Sequence, residues 1–193
     1  MTALILGLLL FLGAHSVRIV AEPWRTRTIA GIGEGAWKGA YSVLSALGLM
    51  LIVWGYGLAR QDPVALWTPM LWARHLAGLL TLVAFVLLAA AYVPGNGIKA
   101  KLHHPMVLGV KVWALAHLLA NHTLADLLLF GGFLLWAVLD FRAARRRDAV
   151  NGTTYAAGSL SRTLVAVVAG VAAWAFFAFW AHAAWFGVQP FGR

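Results

Sequence analysis

The stretch Thr163–Phe186, TLVAVVAGVAAWAFFAFWAHAAWF, decides the fold. It contains no aspartate, glutamate, lysine or arginine, and about 20 such residues already cross the hydrocarbon core of a bilayer as a helix. Lipid offers the backbone no outside partner, so the segment must bond within itself. Five further apolar blocks precede it: Thr2–Val20, Trp37–Ala59, His75–Val93, Met106 to about Asn121, and Leu124–Phe141. Six blocks of this length use most of the 193 residues. The pattern predicts an all-α integral membrane bundle of about six transmembrane helices, a single domain over residues 1–193.

The composition excludes the common alternatives. Hydrophobic residues make up 62% and charged residues 11%, against about 45–50% and about 25% in soluble domains. Mean hydropathy is +0.82. A soluble enzyme, a nucleic-acid-binding domain and a disordered tail are therefore ruled out. The net charge of +9 does not restore nucleic acid as a partner, because the basic residues lie between apolar blocks rather than on one face. Cysteine is absent, which removes disulfides, iron–sulfur clusters, thiolate haem ligation and cysteine zinc sites. A metal here would rest on histidine, carboxylate or water.

The basic residues fix the expected orientation. The loops after the first, third and fifth blocks hold eleven: Arg18, Arg25, Arg27, Lys38, Lys99, Lys101, Arg142, Arg145, Arg146, Arg147 and Arg162. The opposite face holds Arg60, Arg74 and Arg193, and Lys111 lies inside the fourth block. By the positive-inside rule both termini are expected outside and the three basic loops in the cytoplasm. The first block resembles a signal peptide in length, but it lacks a positive n-region and carries His15 and Arg18, so it is read as a retained span. Gly31–Gly35 reads as a flexible loop, Asn121–Thr123 as the link of a tight helical hairpin, and Arg142–Arg147 as a topology anchor. Pro94, Asn96-Gly97 and Asn151-Gly152 mark chain breaks.

Ionisable groups inside spans cost free energy unless paired or ligating, so the seven histidines carry the chemical information. His75, His122 and His182 fall near the outer face, and His103 and His104 at the cytoplasmic mouth of the fourth block. His15 and His117 each lie about 18 Å along their helices, at 1.5 Å per residue. Their spans run in opposite directions, so both reach the middle of the bilayer. Two imidazoles on separate helices suit a b-type haem, which takes one axial nitrogen from each side. Arg18, Lys111 and His104 could then form a cationic floor for its propionates, although snorkelling is the plainer role for Lys111. Asn121 either orients the His117 imidazole or caps the helix end. His75 and His104 are reserve ligands. Spacing alone leaves the haem reading level with one in which His15 and His117 merely hydrogen-bond neighbouring helices. The aromatic residues of the last block could line a pocket for a polyene, quinone or haem, or simply face lipid.

Several strings carry a family resemblance: Gly13-Ala14-His15-Ser16, Arg74-His75-Leu76, and above all His104-Pro105-Met106 running on through Lys111-Val112-Trp113-Ala114-Leu115-Ala116-His117-Leu118-Leu119-Ala120-Asn121. These, with the order of blocks, resemble the NnrU family over nearly the whole chain. That bacterial family is associated with nitrite and nitric oxide reduction in denitrifiers. Its plant and cyanobacterial relatives are cis-ζ-carotene isomerases, membrane proteins that bind haem b. The resemblance implies that His15 and His117 are axial ligands. The isomerase pattern has a cysteine three residues before the span-four histidine where this chain has Ala114, so no thiol-dependent ligand switch carries over.

Three functional classes follow as expectations. One is an accessory protein that senses, carries or stores haem or nitric oxide in denitrification. Another is a haem-dependent isomerase or redox enzyme acting on a lipophilic substrate such as a carotenoid. A haem-free membrane scaffold is the third reading. Absence of acid–base groups beside the two histidines favours the accessory role over the enzyme. The expected partners are the lipid bilayer and a lipophilic small molecule or nitric oxide, with a homo-oligomer left open.

Overall fold

The computed structural model describes residues 1–68 and 70–191. The described residues are mainly helical, with no strand beyond two isolated bridges. The helices are α1 (Thr2–Val20), α2 (Glu22–Ile32), α3 (Glu34–Ala59), α4 (Leu71–Tyr92), α5 (Gly97–Leu102), α6 (Pro105–Ala120), α7 (Leu124–Asn151) and α8 (Leu160–Phe176). One π-helical turn, Phe177–Ala181, continues α8 into α9 (His182–Phe186). Among the described residues, five helical segments are long and apolar enough to cross a membrane, and α6 is a shorter apolar helix of 16 residues. At 1.5 Å per residue α6 spans only about 24 Å. Many large apolar side chains, among them Leu9, Met50, Leu135 and Phe179, lie exposed. In a helical chain this apolar, such a surface is what lipid would cover.

The helices group into two compact units. The first comprises Met1–Trp67 and His122–Asp140, that is α1 to α3 and the first part of α7. Here α1 and α3 run antiparallel at backbone contact. A Cβ on Gly55 would lie 2.2 Å from the Leu4 backbone nitrogen, and one on Gly7 2.6 Å from that of Ile52. Small residues permit this approach, the usual device where lipid supplies no hydrophobic drive between helices. Gly132 of α7 faces Leu12 of the same unit. At one end the Tyr56 hydroxyl donates to the buried Asp126 carboxylate at 2.5 Å. Thr123 donates to Asp126 through both its backbone nitrogen and its hydroxyl, at 3.0 and 2.6 Å.

The second unit comprises Thr68–Asn121 and Phe141–Arg193. Gly109 of α6 packs on Ala84 and Leu88 of α4, and Gly170 of α8 on Val86 of α4. The corner after α4 is held by Asn96, which is 1% exposed. Its Nδ2 donates to the Ala90 and Val93 carbonyls at 2.8 and 2.5 Å. Its Oδ1 accepts the Lys99 backbone N–H at 2.8 Å and so caps α5. Pro94 has no N–H to offer the Ala90 carbonyl four residues back, and the Asn96 amide takes that place.

Three expectations need correction. Gly31–Gly35 is not a flexible loop: α2 runs to Ile32, α3 starts at Glu34, and only Gly33, at φ 85°, separates them. The fifth block does not stop at Phe141, because α7 continues to Asn151 and carries the Arg142–Arg147 run in helical form. Alanine and arginine are strong helix formers, so the helix outlasts its apolar part. The last block starts earlier, at Leu160, capped by the Ser159 side chain. Arg193, counted on the outer face, lies outside the described residues.

Candidate functional site

Within the first unit, the close contact of α1 and α3 sets His15 beside Tyr41, with ring centroids 5.2 Å apart. The Phe11 ring stacks on the imidazole at 4.1 Å, and Trp136 of α7 meets it edge-on at 6.0 Å. His15 Nδ1 lies 2.7 Å from the Phe11 carbonyl, one turn back on its own helix. A carbonyl can only accept, so Nδ1 carries a hydrogen, and in the neutral ring Nε2 holds the lone pair. This aromatic setting holds the ring in one orientation and one tautomer.

His117, in the second unit, has the same local arrangement. Its Nδ1 lies 2.9 Å from the Trp113 carbonyl, again four residues back, and its ring is 5.0 Å from that of Trp113. The same argument puts the hydrogen on Nδ1. Ala114 and Ala116 on this helix are fully buried, which fixes the rotation of α6. Asn121 closes the helix: its backbone N–H and its side-chain Nδ2 both donate to the His117 carbonyl, each at 2.9 Å. Of the two readings of Asn121, the bonds are those of a helix-end cap.

A third histidine site is more polar. His104 precedes Pro105 at the start of α6, and its Nε2 lies 2.8 Å from the Asp148 carboxylate of α7. Tyr155 donates to the same oxygen at 3.1 Å, and Arg145 approaches it at 3.7 Å. His103, at φ 70°, stacks on Tyr155 at 4.0 Å and bonds Arg145. Burial, and then the neighbouring Asp148 carboxylate, push the Tyr155 hydroxyl above its ordinary range. The cluster ties the α5–α6 corner and the 152–159 loop to the end of α7. Sequence reading placed His104 and Arg145 at this mouth but missed Asp148 and Tyr155. Asp148 stands immediately after the arginine run, which was the available signal.

The other candidates are placed separately. Arg18, near the end of α1, has its guanidinium 3.6 Å from Glu22, with a side chain 57% exposed. Lys111 is half-buried on α6. His75 is exposed near the start of α4. His182 Nδ1 bonds the Val188 carbonyl at 2.7 Å, and the His122 carbonyl accepts from Leu66. Among the aromatic residues of the last block, Phe176, Phe179, Trp180, Trp185 and Phe186 are exposed, so they form an outer surface rather than a pocket. Trp174 instead donates to Thr81 of α4 at 3.2 Å. Among the described residues no group of three or more histidine, aspartate or glutamate side chains could hold a metal ion.

A protein-family model described as NnrU protein matches residues 3–190. No curated protein and no solved structure matches the chain. The family match covers nearly the whole sequence, and the chain belongs to the NnrU family.

Proposed function

We propose that this NnrU-family membrane protein binds one haem b through His15 and His117, and serves as an accessory protein in nitrite and nitric oxide reduction. One observation carries the reading: each imidazole donates Nδ1–H to the carbonyl four residues back, at 2.7 and 2.9 Å. A ligating histidine characteristically gives its second ring nitrogen to a carbonyl or carboxylate, which fixes the tautomer and raises the basicity of the metal-binding nitrogen. Each of the two imidazoles is therefore prepared, by its own helix, to act as a ligand. Haem brings four equatorial nitrogens of its own, so it needs from the chain only two imidazoles. Bound haem would supply one-electron chemistry.

The chain's own part is to hold and shelter. Phe11 and Trp113 present backbone carbonyls that orient the two rings, and Asn121 secures the last turn of α6. Arg18 and Lys111, both on the cytoplasmic side of the proposed ligands, would meet the propionates, with Arg18 exchanging Glu22 for one of them. The membrane is the bacterial inner membrane, with both termini periplasmic, on the strength of the uneven basic residues. Variants test the ligand pair. His15→Ala and His117→Ala should each lower haem content and turn a low-spin spectrum high-spin, whereas His122→Ala and His182→Ala should do neither. Full low-spin spectra in both of the first two variants would overturn the assignment.

A further inference from the structure

Trp136 presents a problem that the haem reading does not solve. Its indole Nε1 is shut off from solvent and has no hydrogen-bond partner. An indole nitrogen is a donor only, and buried donors are almost always satisfied. In a bilayer the cost of leaving one unpaired is not relieved by water. A polar ring in contact with it is that of His15, whose centroid is 6.0 Å away at an interplanar angle of 88°. That edge-on contact lies in the ordinary range for aromatic pairs and replaces little of a hydrogen bond.

Depth narrows what the missing acceptor is. Trp136 lies twelve residues into α7 and His15 thirteen into α1, about 18 and 20 Å along helices that enter from the same face. In a hydrocarbon core about 30 Å thick, both are about 10 Å inside the nearer surface. Lipid ester carbonyls stay at the surface and do not reach this level. The surroundings are aromatic: Phe11 stacks on His15, Phe133 lies 5.7 Å from Phe11, and Tyr41 closes the other side at 5.2 Å from His15. An acceptor that reaches the indole here is carried by a molecule that itself dissolves in the core and has a flat body to lie among these rings.

The geometry points to a quinone site in the first unit, in which Trp136 Nε1–H donates to a quinone carbonyl lying among Phe11, His15, Tyr41 and Phe133. The ring centroids lie only 4.1–6.0 Å apart, so binding requires these side chains to part. The inference goes beyond the haem reading and does not rest on it, since the donor and its walls belong to α1, α3 and α7 alone.

The test uses the full chain in nanodiscs with ¹⁵N-labelled tryptophan and decylubiquinone as the probe. The ten tryptophans give separate indole signals, and the one lost in Trp136→Phe identifies Trp136. Titration should move that signal downfield with saturation, and Trp136→Phe should weaken calorimetric binding about tenfold, the cost of one hydrogen bond. Trp180→Phe, on the exposed surface, should bind as wild type does. Absence of saturable binding, or saturation with the Trp136 signal unmoved, overturns the proposal. Should Trp136→Phe fail to fold, as the remaining indole signals would report, Trp136→Tyr supplies the assignment and the wild-type shift then decides. The Soret band of the same samples reads the haem proposal separately. A protein without haem but with a Trp136 shift keeps this inference and loses that one.

Discussion

Replacing Asn96 by alanine should cost more than any other single polar change in the second unit. The side chain makes three hydrogen bonds, at 2.8, 2.5 and 2.8 Å, from a position 1% exposed. Alanine removes the cap on α5, worth about 1 kcal/mol. It also leaves the Ala90 carbonyl, which Pro94 cannot serve, unpaired at about 1–3 kcal/mol. The total is about 2–4 kcal/mol. For a chain of this length each kcal/mol moves the Tm by about 2–4 °C, so the expected drop is about 5–15 °C. Far-UV circular dichroism during heating of the detergent-solubilised protein measures it. Asn96→Asp separates the two contributions, because it keeps an acceptor for Lys99 but turns oxygen toward the Ala90 and Val93 carbonyls. It should be at least as damaging as alanine. A Tm for Asn96→Ala within 1 °C or so of wild type, well under the shift per kcal/mol, would refute the reasoning.

Other predictions concern packing, titration and orientation. Gly55→Ala places a methyl group 2.2 Å from the Leu4 backbone, where neither helix can yield without separating, and should cost about 1–3 kcal/mol. Gly57→Ala, with nothing within 4 Å of its added carbon, should be neutral or stabilising in the same melt. Tyr155 should ionise above the ordinary tyrosine value of about 10, read as the difference in phenolate absorbance between wild type and Tyr155→Phe. Its raised value means that its bond to Asp148 contributes fully below pH of about 10 and is lost as pH rises through the folded-state value. A midpoint at or below the ordinary value would contradict the contact. Reporter fusions after Gly95 or Arg147 should report the cytoplasm, and fusions after Gln61 the outside. The reverse pattern would overturn the orientation.

The apolar blocks were legible because lipid enforces helix and leaves hydropathy as a sufficient signal. The helix ends were less so. α7 continues ten residues past Phe141 because alanine and arginine favour helix in water as well as in lipid, and hydropathy ends where the charges begin. The Gly31–Gly35 segment misled for the opposite reason: glycine permits a break without demanding one, and only Gly33 takes a positive φ. At the candidate site, local spacing was enough for what lies one turn away. Asn121 stands four residues from His117, and the bond was foreseeable as one of two roles. Contacts across the chain were not. The partner of His104 is 44 residues distant, and nothing local to Trp136 signals that its ring meets His15 of α1.

The central claim is the haem held by two histidines, and the absorption and electron paramagnetic resonance spectra of wild-type protein test it most directly. The protein is made with ample haem supply, purified in detergent, and measured oxidised and then dithionite-reduced. The account predicts one haem per chain, a Soret band that shifts on reduction, and a low-spin ferric signal of two imidazole ligands. A protein that folds, as judged by its helical circular dichroism, yet shows no Soret band would contradict it.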